Sequence, residues 1–133
     1  MLVIALLGVV NDGRRFSPAV PSYNAQTVEL PIGVSATVTV ELVYPDGTPA
    51  TLAGTYVLTV KRSPLALTVP LGFVKTGTLT GNTLTFTITA SDTTAMLARR
   101  YLYDVWLTTA GGDRTCVVPV SPFVLLPTIS RAS

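Results

Sequence analysis

The most regular alternation of apolar and polar residues lies between residues 83 and 109. At its start every second residue is a threonine, which is the period of a half-buried strand. A second strand, Tyr101 to Thr109, is rich in Tyr, Val, Trp and Leu and ends at a glycine turn. Between them, Ser91 or Asp92 can accept a hydrogen bond from a free backbone N–H, which predicts a short helical turn over Asp92 to Ala98. The residues expected to face the core from the first strand are Leu84, Phe86 and Ile88.

The rest of the chain from Thr27 onward also predicts short strands. Pro119 and Pro122 interrupt the last two of them and place them at an edge or a bulge, because proline cannot donate to a ladder. About seven to nine short strands separated by turns are typical of an immunoglobulin-like antiparallel β-sandwich, an all-β fold. The further strand segments are residues 34–44, 55–61, 65–70, 73–79, 114–118 and 120–126, of which 65–70 and 73–79 could form a hairpin around Leu71-Gly72.

The first 26 residues do not show this series of short strands separated by turns. Met1 to Val10 is apolar enough for a strand, whereas residues 11–26 contain two prolines and no period, as in an extended irregular segment. The strand can pair within its own domain, or it can add to the sheet edge of a neighbouring subunit, and the sequence leaves both open. The predicted parts are an N-terminal arm (1–26), an immunoglobulin-like β-sandwich (27–126) and a polar C-terminal tail (127–133).

The apolar start does not predict a membrane segment. A stretch of ten residues is about half of what a helix needs to cross the bilayer core. A secretory signal would carry Lys or Arg before its apolar region, and none precedes this one. We therefore expect no membrane partner.

Charge is scarce in this chain. Charged residues make up 12%, about half of the usual share, and the mean hydropathy is +0.53. A freely diffusing protein of this composition would be poorly soluble, so we expect it to bury surface against other proteins. The net charge is only +2, and apart from the pairs Arg14-Arg15 and Arg99-Arg100 the arginines are scattered. This is not the basic stripe that binds nucleic acid, so no nucleic-acid partner is expected.

Candidate chemistry is equally sparse. The chain has no histidine, which removes the commonest general base and metal ligand. Four of the seven acids adjoin glycines or a helix cap, and nothing in the spacing forces the other three together. Cys116 is the only cysteine and lies in a strand-like context, where a small buried apolar residue is the default reading. We expect no enzyme, no cofactor and no metal site.

Asp104 is the one acid with a suggestive neighbourhood. It shares a strand face with Leu102 and Trp106, so an exposed Trp beside a carboxylate could be a contact hot spot. The alternative, which we favour, is a Trp covered by the domain's own loop and an Asp104 paired with an arginine. The opposite, core-facing residues of this strand are Tyr101, Tyr103, Val105 and Leu107.

Several runs resemble a known family. The segments PDGTPATLAG, TYVLTVKR, TGTLTGNTLTFTITASDTTAML and YLYDVWLTTAGGDRT are similar to the small immunoglobulin-like domain at the N-terminus of tailed-phage baseplate upper proteins and to related small phage virion proteins. The resemblance covers roughly Thr37 to Val124, and its most specific element is Tyr101-Leu102-Tyr103-Asp104-Val105. It implies a structural module of a phage particle, without catalytic residues to transfer.

The expected function is that of a non-enzymatic structural protein of a tailed-phage virion. The low charge and the apolar arm favour a capsid decoration or cement protein that binds the capsid lattice through its N-terminal arm, and the resemblance favours a tail or baseplate module. An adhesion or carbohydrate-binding module is an alternative of another class. Expected partners are other virion proteins, such as the major capsid protein or tail and baseplate subunits, and further copies of itself. The candidate partner-binding residues are Leu2, Val3, Ile4, Leu6, Leu7, Arg14, Arg15, Phe16 and Trp106.

Overall fold

The structure is a computed structural model of the chain, and it describes residues 2–10, 26–44, 46–51, 53–62, 72–94 and 96–127. Within these ranges the chain is almost entirely β. No helix among the described residues is long and apolar enough to cross a lipid bilayer. In chain order the elements are β1 (Leu2–Val9), β2 (Val28–Pro31), β3 (Ala36–Val43), β4 (Thr55–Lys61), β5 (Phe73–Thr76), β6 (Thr78–Thr80), β7 (Thr83–Ile88), α1 (Ala90–Thr94), β8 (Arg100–Thr108) and β9 (Arg114–Leu126).

The strands form two sheets that enclose a common core. Sheet A has four strands in the order β1-β3-β7-β6, and sheet B has five in the order β2-β9-β8-β4-β5. Most neighbouring strands are antiparallel, but β1 runs parallel to β3 and β2 runs parallel to β9. The predicted all-β sandwich is confirmed. Its two parallel pairs were not predicted, because residue alternation is the same in parallel and antiparallel strands.

The core lies where the alternation of β3, β7 and β8 predicts it. Val38 lies opposite Phe86 and Val40 opposite Leu84 across the β3–β7 pair, and all four are inaccessible to solvent. Threonines occupy the outer positions of β7, so this strand shows one apolar and one polar face. From sheet B the core receives the side chains of Tyr56, Leu58, Val60, Tyr101, Tyr103, Val105, Leu107, Phe123 and Leu125.

A short helical turn follows β7, as predicted, but it spans Ala90–Thr94 rather than residues 92–98, and Asp92 lies inside it rather than at its N-cap. Thr89 precedes α1, and its backbone N–H donates to Oδ2 of Asp92 at 2.7 Å, the return bond of a capping box. The same oxygen lies 2.7 Å from Nζ of Lys75. Because Lys75 belongs to β5 of sheet B, the ion pair ties the helical turn to the opposite sheet.

Only the second half of the predicted hairpin of residues 65–70 and 73–79 lies among the described residues, and it is not one continuous strand. Residues 65–70 lie outside the described residues. Residues 73–79 divide into β5, which pairs with β4 in sheet B, and β6, which pairs with β7 in sheet A. Gly77 is the crossing point between the sheets: a Cβ there would lie 2.6 Å from Cδ1 of Leu84 and 2.9 Å from Cε1 of Phe86. A glycine is therefore needed for the chain to pass this close to the core.

The two C-terminal strands predicted from the sequence form one long strand, β9. On one side β9 pairs with β8, but on the other side β2 pairs only with Phe123 to Leu126. Among the described residues, the first part of β9 is therefore an edge of sheet B. Pro119 lies at an irregularity of the β8–β9 register, and Pro122 lies just before the segment that β2 covers. The prolines are thus at a bulge and near an open edge, as predicted, while residues 123–126 are central in the sheet.

The N-terminal strand pairs within its own chain. All eight residues of β1 lie in register with β3, from Leu2 opposite Ala36 to Val9 opposite Val43. Of the two alternatives left by the sequence, the structure has the one in which the strand completes its own sheet, so Leu2–Val9 is not a separate arm. The physical reason is that Leu6 and Val10 are buried in the core, which stabilises this pairing. Arg14, Arg15 and Phe16 lie outside the described residues.

Candidate partner-binding surfaces

The outer face of β8 carries the Asp104–Trp106 pair that the sequence singled out. Both side chains are half-buried and point away from the core. Nε1 of Trp106 donates to Oδ2 of Asp104 at 2.9 Å, and the guanidinium of Arg114 lies 4.8 Å above the centre of the Trp106 ring. Among the described residues, Trp106 is therefore covered by an arginine of β9 rather than by a loop, and Asp104 binds the indole rather than an arginine. The stack buries one ring face and adds a cation–π attraction.

A β-bulge shapes the surface next to this pair. Between the pairs Tyr103–Ser121 and Val105–Val118, β8 advances by two residues and β9 by three. The extra residue lies in the stretch Pro119-Val120, opposite Asp104, and leaves Val120 48% exposed. Bulges of this kind redirect side chains and are common beside binding sites.

An open depression of about 250 Å³ lies over this part of sheet B. It is smaller than the pockets that hold drug-sized ligands, which begin at about 300 Å³. Its rim mixes an acid, two cations and apolar groups. The lining residues are Thr59, Lys61, Leu102, Tyr103, Asp104, Trp106, Arg114 and Val120.

Cys116 lies beside this surface rather than in the core. It is half-buried on β9, opposite Trp106, and its Sγ lies 3.1 Å from the carbonyl oxygen of Val118. The expectation of a buried apolar position is therefore wrong. A second irregularity of the register, between the pairs Val105–Val118 and Trp106–Cys116, leaves Val117 and Val118 both buried and pairs Cys116 with Trp106 on the outer face.

A second candidate surface is the outer edge of β1, where Gln26 makes an unusual contact. The backbone N–H of Leu7 donates to Oε1 of Gln26 at 2.8 Å, and Nε2 of Gln26 donates to the carbonyl of Leu7 at 2.6 Å. The side-chain amide thus binds Leu7 as a backbone amide of an adjacent strand would. It also shows that the backbone groups of Leu7 point away from β3.

The backbone of Gln26 is fixed by sheet B. Its N–H donates to Oγ of Ser121 at 3.0 Å, and its carbonyl accepts from the hydroxyl of Tyr103 at 2.6 Å. Burial raises the pKa of Tyr103 well above its ordinary value, so the hydroxyl stays a donor. Leu7 of sheet A is thereby linked to β8 and β9 of sheet B. Nothing in the sequence indicated this role, because Gln26 ends a segment without periodicity.

The remaining part of the β1 edge is open among the described residues. Because backbone groups alternate along a strand, those of Val3 and Ala5 point the same way as those of Leu7. Val3 is 64% exposed and Leu2 38% exposed, whereas Ile4 packs against the core and Leu6 is buried. Of the candidate partner-binding residues in β1, Leu2 and Val3 are therefore accessible to a partner. Ile4 packs against the core, Leu6 lies in it, and the backbone of Leu7 is bound by Gln26.

The described residues show no group of three or more His, Cys, Asp or Glu side chains that could hold a metal ion. The acids on strands, Glu29, Glu41 and Asp104, lie on β2, β3 and β8. Asp104 accepts a hydrogen bond from Trp106, whose ring in turn lies under the guanidinium of Arg114.

No protein-family model matches the chain, and no curated protein does. Among solved structures the chain is similar to the N-terminal domain of phage TP901-1 ORF48, with a TM-score of 0.44 and 13% sequence identity. The match covers 93% of this chain and 98% of that chain. Like the family named from the sequence, this neighbour is an N-terminal domain of a phage protein.

Proposed function

We propose that this chain is a non-enzymatic structural subunit of a tailed-phage virion, held in the particle by contacts with other virion proteins. The observation that carries the proposal is the run Tyr101-Leu102-Tyr103-Asp104-Val105, which resembles the phage baseplate family. In the structure this run lies in β8, in the middle of sheet B, with Tyr101 and Tyr103 in the core. Asp104 is free of the core and available to a surface contact.

The exposed apolar side chains support a subunit with several neighbours. Leu2 and Val3 lie on β1 of sheet A, whereas Val74 and Val120, about half exposed, lie on β5 and β9 of sheet B. On a chain in which only 12% of residues are charged, such positions favour association over free diffusion. Neighbouring subunits in a particle would cover them.

Two locations in the particle are candidates. A capsid decoration or cement protein was expected to bind the lattice through an N-terminal arm, but Leu2–Val9 is part of the sandwich. What still supports this location is the low charge. The tail or baseplate is supported by the family resemblance, which does not depend on the arm. We therefore place the tail or baseplate first and capsid decoration second.

Quantitative mass spectrometry of purified particles tests the proposal. We expect the chain in intact particles, and its copy number relative to the major capsid protein separates the locations. A ratio near one fits a capsid lattice, and a ratio far below one fits a tail or baseplate. If the chain is made during infection but does not copurify with particles, the proposal is wrong.

A glycan array tests the alternative of a carbohydrate-binding module on the same purified protein. Sugar sites commonly offer an open aromatic face, and Arg114 covers one face of Trp106. We therefore expect no binding that depends on Trp106. Glycan binding that is lost in Trp106→Ala and kept in Val74→Ala would favour adhesion over a purely structural role.

A further inference from the structure

We propose that the open part of the β1 edge pairs with the same edge of a second copy of this chain, antiparallel and about a two-fold axis. The pairing would join two copies of sheet A into one continuous sheet. This inference deepens the proposed function, on which it rests for the presence of many copies in one assembly. It names the partner of the Leu2–Ala5 edge, which the proposed function leaves open.

The edge offers main-chain groups in a conformation ready for pairing. Leu7 donates to and accepts from the side chain of Gln26, so the outward backbone groups of β1 belong to the odd-numbered residues. The even-numbered positions face β3, and in line with this the N–H of Val10 donates to the carbonyl of Val43 at 2.8 Å. Val3 and Ala5 therefore present N–H and C=O groups that, among the described residues, no strand pairs.

The strand lacks the features that protect an edge. Native sheets block edge pairing with lysines, prolines, bulges or inward charges. Residues 2–10, LVIALLGVV, contain no charged residue and no proline, and β1 is in unbroken register with β3. An unprotected edge of this kind is a template for strand addition.

The sequence of the open stretch makes a second copy the fitting partner. A two-fold axis at Ile4 places Val3 of one copy opposite Ala5 of the other, so that a large side chain meets a small one. Each such pair exchanges two main-chain hydrogen bonds, which gives about four across the interface. With no charge on either strand, self-pairing meets no like-charge repulsion, whereas a charged strand from another protein would find no counter-charge.

Gln26 sets the length of this interface. The next outward residue, Leu7, is already bound on both backbone groups by the Gln26 amide. Leu7 therefore has no free backbone group to offer a second copy, and the self-paired stretch ends before it. The contact between the two sheets of one copy and the proposed contact between copies therefore do not compete.

Sedimentation velocity of the purified full chain tests the inference. We expect a concentration-dependent dimer, and we expect Ala5→Pro to weaken it at least tenfold. Proline at this position removes an outward N–H that β3 does not use, so the fold is kept, as circular dichroism will check. Val3→Lys is a second variant that blocks the edge by charge. Val74→Lys, at a 51% exposed strand position in sheet B, is the matched control and should leave the dimer unchanged.

A cross-link provides a positive readout. In the proposed pairing Ile4 lies opposite its own copy at a non-hydrogen-bonded site, where Cα atoms are about 4.5 Å apart and within the range of a disulfide. In a Cys116→Ser background, Ile4→Cys should form a disulfide-linked dimer on oxidation, and Val74→Cys should not.

Either of two results would overturn the inference: a monomer at all concentrations with no Ile4→Cys cross-link, or a dimer that survives both Ala5→Pro and Val3→Lys. These measurements use the isolated chain. A monomer would leave the virion proposal standing, and absence from particles would leave the dimer standing.

Discussion

The side-chain amide of Gln26 makes two hydrogen bonds with the backbone of Leu7, accepting at 2.8 Å and donating at 2.6 Å. An amide side chain reproduces here the donor and acceptor of a peptide group in an adjacent strand. Since the backbone of Gln26 is bound to Ser121 and Tyr103, this one residue connects the edge of sheet A to sheet B.

Gln26→Ala should therefore lower the free energy of unfolding by about 1–3 kcal/mol, the cost of leaving part-buried polar groups without partners. Gln26→Glu should cost at least as much at pH 7, because a carboxylate cannot donate to the Leu7 carbonyl. Urea denaturation measures both. Thr27→Ala, an exposed neighbour, is the control and should change the value by less than about 0.5 kcal/mol. Equal losses at residues 26 and 27 would show that the contact does not stabilise the sandwich.

Deletion of residues 1–26 should sharply lower the thermal midpoint. The deletion removes β1, one of the two strands that pair with β3, together with the buried side chains of Leu6 and Val10, each of which contributes about 1.5–3 kcal/mol. Circular dichroism during heating measures the shift. Deletion of the polar tail, residues 128–133, is the control and should have little effect. An unchanged thermal midpoint of the truncated chain would instead support the hypothesis that residues 1–26 form an arm for a neighbouring subunit.

The register of β7 predicts different losses at adjacent residues. Phe86 is fully buried opposite Val38, so Phe86→Ala should cost about 3–5 kcal/mol. Thr85 lies on the outer face, and Thr85→Ala should cost less than about 1 kcal/mol. Chemical denaturation of both variants decides the point, and similar losses would mean that the faces are assigned wrongly.

Gly77→Ala tests the crossing between the sheets. The added methyl group would lie 2.6 Å from Leu84 and 2.9 Å from Phe86, so the core must shift at a cost of about 1–3 kcal/mol. Gly111→Ala is the matched control, because the atom nearest to its new methyl group lies 3.9 Å away. Unfolding midpoints in urea compare the two, and a Gly77→Ala protein as stable as Gly111→Ala would contradict the close passage of the chain.

The capping carboxylate of Asp92 should contribute stability that depends on pH. Burial raises its pKa, but the hydrogen bonds from Lys75 and Thr89 outweigh this and hold the pKa of Asp92 below its ordinary value. A lowered carboxyl pKa gives stability that is present above the unfolded value of about 3.9 and lost as the pH falls through the folded value. Asp92→Asn should therefore cost about 1 kcal/mol at pH 6 and progressively less below pH 4.

Denaturation curves at pH 6 and at pH 2–3 measure this difference. Asp113→Asn, an exposed turn residue, is the control and should differ little from the unmodified protein at either pH. If the Asp92→Asn deficit is the same at both pH values, the loss comes from packing and the ion pair with Lys75 does not stabilise the fold.

For β3, β7 and β8, the sequence by itself determined which residues form the strand and which of them face the core. In β3, β7 and β8 the period of two is strict, and a strand buried on one face has no other register that keeps Phe86 and Tyr103 from solvent. The short helical turn after β7 was also predicted, but its cap was expected at Ser91 or Asp92, whereas in the structure Thr89 precedes the helix and Asp92 returns a hydrogen bond to it.

Tertiary structure alone decided how the strands are connected. Four features join residues from different strands or sheets. They are the parallel pairing of β1 with β3, the crossing at Gly77, the contact of Gln26 with Leu7 and the contact of Arg114 with Trp106. Alternation records only whether a side chain points inward or outward. It does not indicate which position a strand takes in a sheet, or which distant polar group forms hydrogen bonds with the backbone of an edge strand. Both depend on where the rest of the chain places its own donors and acceptors.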